Sequence, residues 1–487
     1  MKVLNIKKIL FFCFIASAFF SCKTNTNIAP PEPVYPVPSD NQLAWHEMGM
    51  NAFIHFTTNT FTDLEWGYGD EKESIFNPTA LNVDQWMTNI KETGFKGVIL
   101  TSKHHDGFCL WPSEFTEHSI KNSPYKNGQG DIVKEVSDAC KKHGLKFGVY
   151  LSPWDRNHKD YGNPDYIFYY RNQIKELFTN YGDIFEMWFD GANGGTGYYG
   201  GARETRNIDR ETYYDWPTTL RQVKELQPNV LFFSDAGPDI RWVGNEQGYV
   251  NETNWNTITP DTLYAGKSGI SKILNTGSID GTNWIPAEVD VSIRPGWFYH
   301  ESEDSLVKTP EELFDIYLTS VGRGSVLLLN IPPDKRGLIH ENDVKSLKGF
   351  KQLLDEAFSN NLTEGAKLNA SNYRGKSNNY APTNLIDHKK DTYWTTDDDV
   401  IAADLEILLK EPQLVSYILL QEHIKLGQRV KSFSIETWDG HKWEKATTGT
   451  TIGHKRILKI DPVTTSKIRL SILDSKASPV LANVELY

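Results

Sequence analysis

Between about Asn41 and Gly349 the chain alternates short strand-like segments with longer helix-like ones, and this alternation constrains the fold more than any other feature. The strand-like segments are Met50–Phe56, Gly97–Thr101, Phe147–Leu151, Ile184–Asp190, Val230–Ser234 and Ser325–Asn330, rich in Val, Ile and Phe. Between them lie amphipathic stretches such as Asn82–Thr93, Asp131–His143, Tyr166–Asn180 and Thr218–Leu226. In Asp131–His143, for example, Ile132, Val133, Val136, Ala139 and Cys140 share one helical face. Strand-helix alternation over roughly 300 residues implies an α/β fold with a parallel sheet, and the size suits a (β/α)8-like barrel. Asp235 to His300 is poorer in clear helix and is expected to be irregular.

The helical stripe Val344, Leu347, Phe350, Leu354 and Phe358 closes this domain, which we place at 41–358. From Leu362 the pattern changes to two-residue alternation, in Ser432–Trp438, Arg456–Ile460 and Lys467–Leu473, with Asp439-Gly440 as a turn. Residues 362–487 are therefore expected to form an all-β sandwich.

The N-terminus is of another kind. Lys2, Lys7 and Lys8 precede a mostly apolar run, Ile9 to Phe20, too short to span a bilayer comfortably. Ser21-Cys22 ends it in the manner of a bacterial lipoprotein box, making 1–22 a signal peptide and Cys22 the lipid anchor. The alternative is an ordinary secretory signal with a chance cysteine. Residues 23–40, with five prolines from Pro30 to Pro38, read as an extended spacer that does not pack. The expected location is the cell envelope, periplasm or outer membrane, with the lipid as the one membrane contact. Cys109 and Cys140 are the remaining cysteines, too few for a disulfide framework, and are expected as buried thiols. The net charge of −12 argues against nucleic acid as a partner.

In a parallel barrel, reactive residues sit where strands end. Here the strand ends carry His55-Phe56-Thr57, Ser102-Lys103-His104-His105-Asp106-Gly107-Phe108, Tyr150-Leu151-Ser152-Pro153-Trp154-Asp155 and Trp188-Phe189-Asp190-Gly191. His55, His104, His105 and Asp190 could bind a metal, but no His-x-His or His-Glu-x-x-His spacing occurs, and Trp66, Trp188 and Trp297 would then be superfluous. Glycoside hydrolysis, with two carboxylates and a sugar held by histidines and aromatic faces, accounts for more of these residues.

These motifs closely resemble the α-L-fucosidases of glycoside hydrolase family 29, over about Gln42 to Pro333. The resemblance implies a barrel and a retaining double displacement that needs no metal or other cofactor. It makes Asp190 the nucleophile, and His55, Glu65, Trp66, His104, His105, Tyr150 and Trp188 the lining of a fucose pocket. Trp297 becomes the aromatic wall against the sugar methyl. For the acid/base, Glu246 in Trp242-Val243-Gly244-Asn245-Glu246 is the first candidate and Glu288 the second, with a salt bridge to Arg294 as the alternative role of Glu288. The segment ending in Glu246 and Ser292-Ile293-Arg294-Pro295-Gly296-Trp297 resemble the subgroup acting on α-1,3/1,4-linked fucose, which implies Lewis-type branched glycans as partners. A broad fucosidase and a fucose-binding lectin on an inactive barrel stay open as alternatives. Asn193 to Arg210 is an insertion beside Asp190, either shaping the leaving-group side or making no contact. The C-terminal segment Asn384-Leu385-Ile386-Asp387 and Asp391-Thr392-Tyr393-Trp394 resembles discoidin-like domains. That resemblance implies a possible structural calcium held by Asp387, Asp391 and Asp397 to Asp399, or else solvated loop acids with Trp394 in the sandwich core.

Overall fold

The computed structural model describes residues 28–487. Eight parallel strands close in chain order: β1 Met50–Ile54, β2 Gly97–Lys103, β3 Lys146–Leu151, β4 Glu186–Trp188, β5 Leu231–Ser234, β6 Ile240–Trp242, β7 Ala287–Ser292 and β8 Val326–Asn330. The main covering helices are α1 Val83–Glu92, α2 Ile132–His143, α3 Pro164–Asn180, α4 Trp216–Leu226, α5 Pro310–Thr319 and α6 Glu341–Phe358. In α2, Asp131 accepts the Lys134 N–H at the start and Gly144 takes a left-handed conformation at the end. The apolar face read from the sequence is buried.

Strands β6 and β7 escaped the strand pattern, and their surroundings explain why. β5 and β6 are joined by five residues, Asp235–Asp239, with no helix between. The segment after β6 holds only the short helix Ser271–Thr276 and a two-stranded ribbon. Arg241 organises it. Fully buried, it donates to the carbonyls of Leu274 (2.8 Å), Trp255 (3.0 Å) and Ile285. Irregular backbone can stay inside a fold only if its carbonyls are satisfied, and one guanidinium serves three of them.

Two apolar layers result. An outer one lies between strands and helices. An inner one, with Phe53, Ile99, Trp188, Phe233 and Leu328, fills the barrel and includes Trp45 from the short helix Asp40–His46 ahead of β1.

The C-terminal domain is an antiparallel seven-stranded all-β unit around Trp394, Leu405, Ile418, Phe433, Leu470 and Leu481. Arg456–Ile460 and Lys467–Leu473, expected as separate strands, are the two ends of one strand, Arg456–Ser475. It bends alongside Ala403–Glu422, where the register shifts between Leu408 and Gln413. The polar stretch between the two ends looks like a turn in sequence, yet its backbone remains in the ladder.

The calcium expectation meets a donor set that does not suit it. Asp391 pairs with Lys425 (2.7 Å), Asp398 with Arg374, and Asp397 accepts from Asn372 and the Gly375 N–H. Asp387 accepts from Thr392 and the Lys389 N–H. Calcium needs six to eight converging oxygens. Among the described residues no three His, Cys, Asp or Glu side chains gather that could hold a metal.

The proline-rich spacer reading needs correction over its second half. Pro31 and Pro38 are buried, the Val34 N–H donates to the Leu426 carbonyl (2.9 Å), and Arg429 donates to the Glu32 carbonyl (2.6 Å). Gly427 admits this strap, since a Cβ there would stand 2.0 Å from the Val34 oxygen. Extended proline backbone keeps its carbonyls free to accept, and a buried arginine uses one. The signal peptide, Cys22 and residues 23–27 lie outside the described residues. Among the described residues no helix is long and apolar enough to cross a membrane. Cys109 and Cys140 are buried free thiols.

The two domains are joined by backbone-directed bonds. Gln428 accepts the Asn256 N–H (2.8 Å) and donates to the Asn254 carbonyl (2.8 Å), while Thr451 accepts the Asn254 N–H (2.9 Å). Gln428→Ala strands a buried donor and acceptor, so it should cost about 1–3 kcal/mol. Chemical denaturation followed by tryptophan fluorescence measures this, and an unchanged midpoint would show that the joint carries no stability.

Candidate active site

The C-terminal strand ends enclose a cavity of about 380 Å³ lined by Phe53, His55, Trp66, His104, His105, Tyr150, Trp188, Asp190, Gly191, Ala192, Asp235, Trp242, Glu246, Asp290 and Trp297. Some motif residues that do not reach it rivet the rim together. Thr57 donates to buried Asp106 (2.7 Å), tying the end of β1 to the loop after β2. Lys103 pairs with Asp155 (3.0 Å) with both side chains buried, tying β2 to β3.

Asp190, just beyond β4, keeps 24 % of its side chain exposed at the cavity floor. The Tyr150 hydroxyl donates to Oδ2 (2.9 Å) and the Ala192 N–H to Oδ1 (2.6 Å). Burial raises its pKa above the ordinary aspartate value, and these two donors pull it back. Burial also keeps the Tyr150 hydroxyl protonated, so it remains a donor. Gly191 lets Asp235 approach, since a Cβ there would lie 2.3 Å from Asp235 Oδ2.

The three histidines are held neutral, chiefly by burial, His55 and His105 at about 3 and His104 well below its ordinary value. Their tautomers follow from the hydrogen-bond network. Asn330 donates to the Trp297 carbonyl (2.8 Å) and Ser292 (2.9 Å), so its oxygen accepts from His55 Nδ1 (2.8 Å). Ser152 donates to the Trp154 carbonyl (2.6 Å), so it accepts from His105 Nδ1 (2.6 Å). Both rings therefore carry Nε2 as a lone-pair acceptor. The Asn59 oxygen takes the Gly67 N–H (2.9 Å), which turns its amide nitrogen toward His104 Nδ1 (3.5 Å) and makes His104 Nε2 a donor. Two acceptors and one donor suit sugar hydroxyls, which both give and take hydrogen bonds.

Glu246 lies on the loop after β6, and its carboxylate accepts the Trp297 indole N–H (3.2 Å). Its pKa is raised, first by burial and then by the charges of Asp190 and Glu65. A carboxyl biased toward protonation on the same cavity as one held by donors is the division of labour that glycoside hydrolysis requires.

Two expected residues stand elsewhere. Glu65 is not on the cavity wall. Its oxygens accept the Trp297 N–H (2.9 Å), the Phe298 N–H (3.1 Å) and His300 Nε2 (2.7 Å), clamping the loop that carries Trp297. Glu288 is fully buried inside the barrel, accepting the Trp188 indole N–H (3.0 Å), and so cannot reach a leaving group. Its alternative partner Arg294 pairs instead with Asp343 (3.0 Å) and Asp304 (2.9 Å).

Asp235, Trp242 and Asp290 also line the cavity, and the sequence reading passed over them. For Asp290 a signal existed. In Ala287-Glu288-Val289-Asp290-Val291-Ser292 the polar residues alternate, as inward positions of a barrel strand do. The insertion after Asp190 is packed, not free. Its hairpin, Gly195–Gly197 with Glu204–Arg206, is held by Arg156, which donates to the Thr196 carbonyl (2.8 Å) and to the Trp66 (3.2 Å) and Gly67 (2.6 Å) carbonyls.

Tyr150→Phe removes a donor that favours ionised Asp190, so the aspartate pKa should rise further. The acid limb of kcat/KM should therefore move to higher pH, with turnover reduced roughly tenfold to a hundredfold. A pH-rate profile checks this, and an unmoved acid limb would detach Tyr150 from the charge of Asp190.

The α-L-fucosidase family profile matches residues 33–357, and the F5/8 type C domain profile matches residues 367–486. Alpha-L-fucosidase 1 of Arabidopsis thaliana is 41% identical over 99% of this chain and 94% of its own length. A solved glycoside hydrolase 29 family member from an unknown rumen bacterium is 44% identical, with a TM-score of 0.84, covering 94% of this chain and 78% of that one. A GH29 fucosidase of Ruminococcus gnavus, solved in complex with fucose, is 33% identical at a TM-score of 0.84, covering 94% and 96%. The chain belongs to the α-L-fucosidases of glycoside hydrolase family 29, with a C-terminal F5/8 type C domain.

Proposed function

We propose that the protein is a retaining α-L-fucosidase that releases α-1,3/1,4-linked fucose from Lewis-type branched glycans. The observation that carries this reading is the sharing of one cavity by Asp190, which accepts from a hydroxyl and a backbone N–H, and Glu246, which accepts one indole N–H and whose pKa is raised. Asp190 attacks the anomeric carbon while protonated Glu246 gives its proton to the departing glycosidic oxygen. Glu246, now ionised, takes a proton from water as that water attacks the fucosyl-aspartate, releasing fucose and restoring both groups. His55, His104 and His105 bind the ring hydroxyls, and Trp297 and Trp188 face the apolar parts of the sugar.

Branch selectivity requires the leaving sugar to be recognised. Glu246 marks the side on which it departs. Asp290 lies within reach of the Glu246 charge and accepts the Trp242 indole N–H (2.8 Å), so an acceptor and a flat aromatic face flank the acid. Asp235, whose carboxyl burial and the charge of Asp190 push up to about 6, adds a second polar group.

Glu246→Ala should slow natural glycans far more than aryl α-fucosides with good leaving groups, and azide should rescue the second step. Azide rescue in Glu288→Ala in place of Glu246→Ala would reverse the assignment. For the wild type, kcat/KM on a Lewis trisaccharide should exceed that on a linear α-1,2-fucosyl disaccharide by at least about a hundredfold. Equal values would leave a broad fucosidase, and sugar binding without turnover would leave a lectin.

Export and lipidation at Cys22 are proposed from the sequence alone. Wild type should sediment with membranes of the cell envelope and Cys22→Ser should not; equal sedimentation would remove the anchor from the account.

A further inference from the structure

Glu288 is idle in the hydrolysis above, yet it occupies the centre of the barrel. It and Glu186 are both fully shielded from water. Glu186 Oε2 accepts the Trp45 indole N–H (2.9 Å), and Glu288 Oε2 accepts the Trp188 indole N–H (3.0 Å). The remaining oxygen of each, Oε1, is buried with no hydrogen-bond partner among the protein groups, and the two carboxyls lie close enough to bias each other's ionisation. Ionised carboxylates only accept, so two can hydrogen-bond only through a proton that one of them keeps.

Among the described residues no cation is paired with either carboxyl in its place. Asp239, from the turn before β6, and Asp290, next inward on β7, add negative field. Arg241 turns outward to the carbonyls of Leu274 and Trp255. Phe53, Leu231, Val326 and Leu328 are the apolar neighbours in the inner layer. We propose that Glu186 and Glu288 form a carboxyl pair sharing one proton, and that this pair positions Trp188 at the floor of the fucose pocket. Trp188 stacks on Phe233 (4.0 Å between ring centroids) and on Tyr150 (5.4 Å), and Tyr150 donates to Asp190. The pair is thus three contacts from the nucleophile without touching substrate. The effect on catalysis rests on the pocket assignment proposed above. The shared proton does not.

Burial raises both carboxyls well above the ordinary glutamate range, Glu186 to about 8, and the charge of Glu186 adds to the rise of Glu288. In the unfolded chain a glutamate loses its proton near the ordinary value of 4.5. Between these values the fold binds at least one more proton than the unfolded chain, so stability falls as pH rises through the window.

Thermal melting against pH and steady-state kinetics on an aryl α-fucoside, for wild type, Glu288→Gln and Glu288→Leu, test the proposal. In Glu288→Gln the amide N–H replaces the shared proton and its oxygen keeps the Trp188 N–H. The fall in melting temperature from about pH 5 to about pH 8 should therefore flatten relative to wild type. Glu288→Leu strands the indole N–H and should raise KM about tenfold with a smaller change in kcat, a loss that Glu288→Gln largely restores. The proposal fails if wild type and Glu288→Gln share one pH dependence, or if the Gln variant is as impaired in KM as the Leu variant. Should Glu288→Gln not fold, Glu186→Gln supplies the same single bridge from the other side. A wild-type melting temperature flat across the window overturns the shared proton by itself. Because melting needs no substrate, failure of the fucose reading would show in the kinetics alone.

Discussion

The barrel keeps one carboxyl, Asp190, open to the cavity in a place crowded with other acids. Asp190, Asp235, Glu246, Asp290, Glu186 and Glu288 all project into the cavity or the barrel beneath it. The three cavity histidines are neutral and cannot balance them. Charge repulsion and desolvation mean that few of these acids can be ionised together. Hydrogen-bond donors decide which. Asp190 receives a hydroxyl and a backbone N–H, while Asp290, Glu186, Glu246 and Glu288 each receive one indole N–H, the weaker provision. Tryptophan has one polar handle on a large apolar body, so it can line a sugar pocket while setting a neighbouring carboxyl.

The rest of the architecture serves the placement of those donors. Tyr150 can reach Asp190 because β3 and β4 are adjacent in register. Trp297 reaches both Glu246 and the His55 ring because Asn330 and Glu65 fix its loop from two sides. The irregular stretch between β6 and β7, which carries Glu246, is held from outside by Arg241 and by the sandwich. Asn254 and Asn256, bound by Thr451 and Gln428, lie in that stretch. The C-terminal domain therefore supports the loop region of Glu246 without lining the cavity. The strap Pro31–Pro38 runs along the same domain and leads into the helix whose Trp45 reaches the barrel interior.

Amphipathic periodicity made the barrel legible, because helices α1 to α4 and α6 each bury one face against strands that are apolar on both faces. It failed at β6 and β7. Ile240-Arg241-Trp242 is three residues long and central in it is an arginine, which the pattern reads as exposed and the fold buries under three carbonyls. β7 alternates polar and apolar residues like a half-solvated strand, yet its polar side faces the barrel interior.

The sequence by itself determined the class of fold, because alternating strands and helices close a barrel whose strand ends share one rim, and its resemblance to a known family supplied the family and most residues on the cavity wall. Tertiary structure alone decided the roles of the carboxyls. Glu65, Glu246 and Glu288 are chemically identical in the sequence. One clamps a loop, one lines the cavity, and one is sealed beneath Trp188. The difference lies in how much water each retains and which N–H groups reach it. Both are set by contacts between segments far apart in the chain, such as Glu65 with Trp297 and Trp188 with Glu288.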